Sequence, residues 1–366
     1  MTPLAEHIAR DIALDGPISV ERFMGLCLSH PTLGYYTTRD PLGRGGDFTT
    51  APEISQMFGE LIGVWAASTW QAMGAPGRVH LVELGPGRGT LMADAYRAAR
   101  ALPAFCAALD VHLVEISPVL RERQRVALSA SGASVFWHET IASLPENAPL
   151  IIIANEFFDA LPIRQVVRRD GEWHERMVGL DDKGALAFGL GPLAAPVPFT
   201  GGEGDIREMS PASLSIMATL AERCCRQGGA LLAVDYGYAR SQAGDSLQAL
   251  KDHAFADVLA SAGTADLTAH VDFAALAAAG RSAGAVVHPL LTQRCLLARL
   301  GIGARAQALV ANASDGGAAI SAAFDRLTGT GQGAMGTLFK ALALSSPGFT
   351  PPAFDSPDPL ITQITA

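Results

Sequence analysis

Apolar residues recur at helical intervals over the first thirty positions of the chain. They occupy positions 4, 8 and 12 and then 20, 23, 24 and 27, which predicts one helix over 4–14 and another over 19–29. Ser19 and Pro31 are a helix start signal and a stop signal for the second one. The stretch from Thr32 to Pro52 shows no periodicity and contains several glycines, which predicts a functional loop or lid.

A helical pattern resumes over 53–73, and from residue 79 short apolar runs alternate with helical stretches. The run at 150–154 has no polar side, as expected of a strand that is covered on both faces. This alternation predicts an α/β fold with a doubly wound, mostly parallel sheet. The predicted strands are 79–84, 111–114, 135–137, 150–154 and 230–234, and the helices that separate the first three are 90–102 and 118–128.

The segment between the last two of these strands predicts an addition to the sheet. Residues 163–167 and 172–178 have the pattern of a hairpin, and 190–208 is rich in glycine and proline. Residues 241–269 are polar and are expected to be loop-like.

Composition and charge narrow the class of protein. With 49% hydrophobic and 17% charged residues, the 366-residue chain has too much apolar content for a disordered protein. Its net charge is −9, and proteins that bind nucleic acid through phosphates usually have a basic face. The Arg-rich run at 121–125 alternates with polar residues and is interpreted as a solvated helix face. We therefore expect a protein or peptide partner and no nucleic acid.

Cysteine usage and hydropathy predict a cytoplasmic protein without membrane insertion. The five cysteines are scattered and form no C-x-x-C pair, which is typical of reduced thiols. No apolar run reaches the roughly 18 residues that a membrane span requires, and the first sixteen residues are too acidic for a leader peptide. No His/Cys/Asp cluster has ligand spacing, so no metal is expected.

The most specific local motif is Glu83-Leu84-Gly85-Pro86-Gly87-Arg88-Gly89, which follows a predicted strand and opens a predicted helix. Its glycines at 85, 87 and 89 form G-x-G-x-G, whereas a dinucleotide fingerprint requires G-x-G-x-x-G. This form, with Glu83 two residues before the first glycine, predicts a site for S-adenosylmethionine (SAM). The carboxylate of Glu83 can meet the ammonium end of that ligand. The alternative is a tight strand–helix turn with no ligand.

Acidic residues follow two more of the predicted strands. Glu115 closes the second strand and is predicted to accept hydrogen bonds from ribose hydroxyls, although a strand end that faces water is the alternative. Asn155 and Glu156 follow the fourth strand, whose carboxyl end should lie beside the glycine turn. We expect Asn155 to contribute to the cofactor site.

The turn that begins at Glu156 is predicted to grip a nucleophile-bearing side chain. Carboxylates bind guanidinium in bidentate fashion and aromatic rings suit cations, so Glu156 and Asp159 are the candidate catalytic residues. Phe157 and Phe158 are the candidate aromatic wall. In the alternative interpretation Glu156 caps a short helix and the phenylalanine pair belongs to the core.

An ordered series of segments resembles the MidA/NDUFAF7 family of SAM-dependent methyltransferases and covers nearly the whole chain. The resemblance implies a class I methyltransferase fold with an N-terminal helical extension and lid loop over 1–75. It implies a core over 76–346 with an insertion around 170–225, followed by a Pro-rich tail over 347–366. The matching segments are Gly34-Tyr35-Tyr36, 45–55, Phe58-Gly59-Glu60, 83–89, 156–162, Asp235-Tyr236-Gly237, 266–273 and Phe339-Lys340-Ala341-Leu342.

The resemblance also implies an activity and further site residues. The mitochondrial member of the family is described as a protein arginine methyltransferase that acts on a subunit of respiratory complex I. By that likeness Asp47 and Thr49 would close over the cofactor, and Tyr36 and His270 would contact the substrate. The segment 244–250 departs from the family pattern. Two alternatives stay open: a small-molecule methyltransferase, and a non-catalytic SAM-binding assembly factor.

Overall fold

The structure is a computed structural model that describes residues 1–38, 50–194, 197, 200–313 and 316–361. Its helices are α1 Pro3–Asp15, α2 Val20–Ser29, α3 Tyr35–Thr38, α4 Ala51–Ile54, α5 Gln56–Ala72, α6 Thr90–Ala99, α7 Pro103–Ala108, α8 Pro118–Leu128, α9 Pro211–Gln227, α10 Phe273–Ser282, α11 Gln293–Arg299, α12 Ile302–Ala311 and α13 Ala318–Thr328.

The strands, in chain order, are β1 Ile18–Ser19, β2 Val79–Leu84, β3 Leu109–Val114, β4 Ser134–His138, β5 Leu150–Asn155, β6 Arg164–Arg169, β7 Glu172–Leu180, β8 Leu186–Leu193, β9 Ile206–Met209, β10 Gly229–Tyr238, β11 Gln248–Lys251, β12 Ala254–Ala256, β13 Asp266–Thr268, β14 Val271–Asp272, β15 Val286–Val287, β16 Leu291–Thr292 and β17 Phe339–Ser345. The five strands predicted for the sheet are confirmed as β2, β3, β4, β5 and β10.

Residue contacts divide the chain into two units. Unit 1 consists of Met1–Phe48, Asp159–Ser215 and Ser241–Asp272, and unit 2 consists of Thr49–Phe158, Ile216–Arg240 and Phe273–Ala366. The domain boundaries expected from the resemblance, at residues 75 and 346, stay predictions.

Unit 2 contains the predicted α/β sheet. Its strands run in the order β15-β17-β10-β5-β2-β3-β4. The neighbours from β10 to β4 are parallel, and β17 is antiparallel to β10. Consecutive strands connected through helices on a parallel sheet are the doubly wound arrangement that the sequence pattern predicted.

Two glycines allow α5 to pack closely on α6 in unit 2. A Cβ atom at Gly63 would lie 2.4 Å from the carbonyl oxygen of Ala95, and one at Gly59 would lie 2.7 Å from the Cβ of Asp94. Because the helix predicted over 53–73 is interrupted at Ser55, α4 and α5 are separate helices. The hydroxyl of Ser55 accepts a hydrogen bond from the Met57 amide and caps α5.

Unit 1 contains a sheet of order β1-β7-β6-β9, with β8 paired to β7, and the predicted hairpin is confirmed as β6 and β7. The expectation of a loop over 241–269 was wrong, because β12, β11 and β13 form a second, three-stranded sheet there. Ala249 of β11 and Leu267 of β13 are both buried. Strands of three or four residues are too short to show an alternating pattern in the sequence.

In the portion of the chain that the structure describes, no helix is both long enough and apolar enough to cross a bilayer.

Candidate functional site

The register of the sheet in unit 2 aligns three of the predicted site residues. Leu84 at the end of β2 pairs with Val114 of β3 on one side and with Ala154 of β5 on the other. The residues that come next on these three strands are therefore neighbours at the same edge; they are Gly85, Glu115 and Asn155. Ligands of doubly wound sheets bind at this carboxyl edge.

The glycine turn leaves its backbone bare at the start of α6. Gly85, Gly87 and Gly89 all have positive φ angles, of 57°, 53° and 82°, which are strained for any residue with a side chain. A Cβ at Gly85 would lie 3.1 Å from the ring of Phe157, and one at Gly89 would lie 3.3 Å from the Cα of Gln124. The turn therefore needs glycine for both conformation and space, and it lets a ligand approach the helix N-terminus.

Two buried carboxyl groups flank this turn. Glu83 is 3% exposed, and burial together with the nearby charge of Glu115 raises its pKa to about 8. Burial also raises the pKa of Glu115, whose Oε1 accepts a hydrogen bond from the Ser117 amide at 2.8 Å. Both groups therefore favour a cationic or hydrogen-bond-donating ligand, since such a ligand would stabilise the ionised carboxylates.

Two buried oxygen atoms at the edge lack a hydrogen-bond donor among the described residues: Oε2 of Glu83 and Oδ1 of Asn155. Buried polar atoms in native proteins are nearly always paired with protein, water or ligand. Together with the bare glycine turn, these acceptors fit a ligand that presents amino and hydroxyl donors, as SAM does.

Gln124 connects three parts of the site, although the sequence placed it on a solvated face. That interpretation of 121–125 was wrong for this residue, which is fully buried. Its Nε2 donates to the carbonyl oxygen of Gly87 at 2.8 Å and to Oε2 of Glu115 at 3.2 Å. Its Oε1 accepts a hydrogen bond from Trp137 at 2.9 Å. The sequence did not indicate that Gln124 is buried, because its neighbours on α8 are charged. Only about every fourth side chain of this helix faces inward.

The turn after β5 places Glu156 at the same edge of the sheet, next to Asn155. Glu156 has a φ of 49°, an uncommon conformation for a residue with a side chain, and its amide donates to the carbonyl of Val234 at 2.9 Å. Its Oε1 accepts hydrogen bonds from the Ala51 amide at 3.0 Å and from Nδ2 of Asn155 at 3.2 Å. The predicted alternative, in which Glu156 caps a short helix after β5, does not occur, since the next helix in chain order is α9.

Comparisons with known proteins give the family. Residues 61–290 match a family described as "Putative S-adenosyl-L-methionine-dependent methyltransferase". The chain is 37% identical to "Protein arginine methyltransferase NDUFAF7, mitochondrial" of Danio rerio, over 84% of this chain and 79% of that protein. It is 36% identical to the protein of the same name in Homo sapiens, over 85% of this chain and 76% of that protein.

A solved structure agrees with the sequence matches. It is a crystal structure from Burkholderia thailandensis, described as a candidate methyltransferase bound to S-adenosylhomocysteine. The TM-score is 0.83 at 29% identity, and the match covers 97% of this chain and 93% of that one.

The chain belongs to this family of SAM-dependent methyltransferases. The family prediction, the fold class and the SAM cofactor are therefore confirmed. The residues at the carboxyl edge of this methyltransferase would hold SAM through Glu83, Glu115, Asn155 and the three glycines of the turn. Those individual assignments stay predictions, supported by the buried acceptor atoms described above.

Further predicted residues of this methyltransferase lie in unit 1 or outside the described residues. Asp47 and Thr49 lie in the segment 39–49, which the structure does not describe. In unit 1, Tyr36 donates a hydrogen bond to Oδ1 of Asp266 at 2.8 Å. Burial and the charges of Asp266 and Asp159 raise the pKa of Tyr36 well above its usual value. Tyr36 is therefore a neutral hydrogen-bond donor at physiological pH.

The other unit 1 candidates are held by backbone contacts. The carbonyl oxygen of Asp159 accepts a hydrogen bond from the Ala269 amide at 3.0 Å, and Asp159 is 6% exposed. The amide of His270 donates to the hydroxyl of Ser246 at 2.9 Å. Ser246 belongs to the segment that departs from the family pattern.

The phenylalanine pair of unit 2 divides into two environments. Phe158 is 3% exposed and its ring packs edge-on against Phe157, with centroids 5.3 Å apart. Phe157 is half-buried and lies against Gly85. The alternative interpretation, in which both phenylalanines belong to the core, is therefore correct for Phe158 and wrong for Phe157.

Sequence reasoning also missed Glu53 of α4, which contacts the first residue of α6. Its Oε1 accepts a hydrogen bond from the hydroxyl of Thr90 at 2.5 Å, which ties α4 to the first turn of α6. Glu53 lies in a family-like segment, so its motif was visible although its partner was not.

One group among the described residues has ligand atoms close enough for a metal: His80, Asp110 and His112, within 4.8 Å of one another. His80 and Asp110 are the second residues of β2 and β3, and His112 is the fourth residue of β3. The first two therefore lie near the strand ends opposite to the cofactor edge. Nε2 of His112 lies 3.0 Å from Nδ1 of His80, and the guanidinium of Arg78 pairs with Asp110 at 2.8 Å. A hydrogen bond thus already links the two histidines, and Asp110 is paired with Arg78. The expectation that catalysis requires no metal stays a prediction.

Proposed function

We propose that this methyltransferase transfers the methyl group of SAM to an arginine side chain of a protein. Two observations support the proposal. Relatives that are 36–37% identical over about 85% of the chain carry the name protein arginine methyltransferase. In addition, the Glu156 carboxylate stands at the same sheet edge as the glycine turn, where a guanidinium would meet the methyl donor.

A carboxylate at this position can supply the acid–base chemistry that an arginine acceptor needs. Arginine is effectively always protonated, so its attacking nitrogen has no free electron pair in the ground state. A carboxylate that binds the other side of the guanidinium localises the positive charge away from that nitrogen and assists proton loss. The hydrogen bonds that Glu156 accepts from Ala51 and Asn155 fix its carboxylate in place before the acceptor arrives.

Bound SAM supplies an electrophilic methyl group on a sulfonium. The chain's own contribution is to orient the acceptor, since correct placement alone lowers a bimolecular barrier by about 7–11 kcal/mol. Phe157 would contact the guanidinium of the acceptor beside Gly85, because an aromatic face stabilises a cation. Asp159, Tyr36 and His270 of unit 1 stay further candidates for contact with the protein substrate, whereas Phe158 is buried.

The proposal extends to partner and location. A subunit of respiratory complex I is the proposed acceptor, and methylation would support assembly of that complex. We propose a bacterial cytoplasm as the place of action, since the chain has the cysteine pattern of a reducing compartment.

The test is methyl transfer from tritium-labelled SAM into the proteins of a lysate from a strain that lacks the gene. Mass spectrometry should then find methylarginine on one protein that is unmodified in the deletion strain. Glu156→Gln should lower the rate by about a hundredfold or more, the scale of losing a positioned acid–base group. Glu175→Gln, which removes a carboxylate that pairs with Arg164 in unit 1, is the control and should keep the rate.

Other outcomes separate the alternatives. Label in a small molecule without label in protein would show a small-molecule methyltransferase. A deletion phenotype that Glu156→Gln rescues as well as the natural sequence does would show a non-catalytic assembly factor.

A further inference from the structure

The strained turn that carries Glu156 is held by a fully buried carboxylate on the neighbouring strand. Asp235 lies in β10 and is 0% exposed. Its Oδ2 accepts a hydrogen bond from the Phe158 amide at 3.0 Å, and its Oδ1 accepts one from the Tyr236 amide at 3.0 Å. One side chain thereby joins β10 to the turn after β5.

The backbone of β10 holds the same turn at a second point. Val234, which pairs with Asn155 in the parallel register, accepts the amide of Glu156 through its carbonyl oxygen at 2.9 Å. The carbonyl of Val234 and the carboxylate of Asp235 thus bind the amides of residues 156 and 158. The residue between them, Phe157, is the one whose ring lies against Gly85.

The conformation of Glu156 requires contacts such as these from Val234 and Asp235. A glutamate with a φ of 49° is in the left-handed region, which a residue with a side chain adopts only when surrounding contacts enforce it. Without those contacts the turn would relax, and the carboxylate of Glu156 would move away from the cofactor edge. A displacement of about 1 Å at a reacting group is enough to cost on the order of a hundredfold in rate.

We infer that Asp235 is a positioning residue for methyl transfer, which fixes the direction in which Glu156 and Phe157 face the cofactor turn. This inference rests on the proposed function of Glu156. It predicts a much larger effect on turnover than on SAM binding, because Glu83, Gly85 and Glu115, three of the residues predicted to bind SAM, lie on or after other strands.

The informative variant is Asp235→Asn. Its amide has nearly the same shape, but one of its two ends is a donor and must face an amide N–H, either of Phe158 or of Tyr236. We expect the limiting rate of label transfer at saturating SAM to fall by about tenfold or more, while the Kd for SAM by calorimetry changes by less than about threefold. The assay uses the full chain, labelled SAM and the deletion-strain lysate.

Asp358 provides a matched control in the same unit. It is also buried, at 2% exposure, and its Oδ2 accepts hydrogen bonds from the amide and hydroxyl of Thr292 at 2.7 and 2.6 Å. Asp358→Asn should lower the melting temperature without lowering the limiting rate. If both variants lose stability and rate in proportion, Asp235 has only a structural role and the inference is overturned.

A double-mutant cycle with Glu156→Gln tests whether Asp235 acts through Glu156. The rate effect of Asp235→Asn should largely disappear in the Glu156→Gln background, whereas independent effects would multiply and overturn the inference. If Asp235→Asn does not fold, Asp235→Ser, which keeps one hydroxyl acceptor, replaces it in the cycle. A fully active Glu156→Gln single variant would refute the proposed function itself. If Glu156→Gln is inactive and Asp235→Asn is fully active, only the positioning role of Asp235 is refuted.

Discussion

Gln124 donates a hydrogen bond to the carbonyl oxygen of Gly87, and this 2.8 Å contact ties helix α8 to the middle of the cofactor turn. The same amide group reaches Glu115. One side chain thus sets the distance between the glycine turn and the acid that is predicted to bind ribose.

We expect Gln124→Ala to weaken SAM binding by about tenfold, because the turn loses its tether and Trp137 loses its acceptor. Loss of a partner from a buried polar group costs about 1–3 kcal/mol. Isothermal calorimetry with SAM checks the value. Gln227→Ala is the control, since Gln227 also donates to backbone carbonyls of unit 2, those of Pro145 and Ala148, but far along the chain from the turn. Equal affinities for the two variants would contradict the tethering role.

Gly87→Val should abolish measurable SAM binding. The φ of 53° at Gly87 lies in a region that β-branched residues avoid, so valine would force the turn to change conformation. Gly303→Val, at a position with open space and no positive φ, should bind SAM normally. Unchanged calorimetric binding by Gly87→Val would mean that this turn is not the cofactor site.

SAM binding should release a proton near neutral pH. The pKa of Glu83 is raised to about 8, so the carboxyl is mostly protonated below that pH in the empty site, and a cationic ligand favours its ionised form. Affinity should therefore rise as the pH rises toward 8. Calorimetry in buffers of different ionisation enthalpy measures the released proton. Glu83→Gln should bind without this release, and a natural enzyme whose apparent enthalpy is independent of the buffer would refute the linkage.

The buried histidines should make the protein sensitive to acid. Burial and the neighbouring His80 and His138 lower the pKa of His112 to about 3, below its value of about 6.5 when unfolded. At this histidine the unfolded state then binds more protons than the folded state below pH 6.5. The contribution of His112 to stability is therefore fully present above pH 6.5 and falls with acidity by about 1.4 kcal/mol per pH unit toward pH 3. The raised pKa of Glu83 acts in the opposite sense below pH 8, so the contribution of His112 is measured as a difference from a variant that lacks this histidine. Thermal unfolding between pH 7 and pH 4 measures this slope.

His112→Gln removes the titrating group, so its melting temperature should fall less than that of the natural protein when the pH is lowered from 7 to 4. His7→Gln, at a surface position beside Asp11, should keep the slope of the natural protein. Identical slopes in all three proteins would show that the loss of stability in acid has another source.

The sequence was sufficient to predict features that depend only on a local pattern of residues. The apolar run at 150–154 and the spacing of Gly85, Gly87 and Gly89 identify a strand and a turn without tertiary information, and both were confirmed. The family-like order of segments gave the cofactor. Glu83 and Glu115 could be proposed as site residues because an acid at the end of a predicted strand is visible in the sequence, and their roles stay predictions.

The positions that sequence reasoning missed depend on partners far along the chain. Gln124 and Glu53 acquire their roles from contacts 37 residues away, with Gly87 and Thr90 respectively. The neighbours of Gln124 resemble those of a surface residue, and the family-like segment around Glu53 does not indicate its partner. The sheet at β11 to β13 was missed for a related reason, since strands of three or four residues are stabilised by pairing and not by their own pattern.

The pairing of Leu84 with both Val114 and Ala154 has a consequence for engineering. Strand alignment brings Gly85, Glu115 and Asn155, which are predicted to bind the methyl donor, to the same edge of the sheet. A deletion of a single residue within β2 would therefore invert the facing of every side chain beyond it and disrupt the predicted donor site.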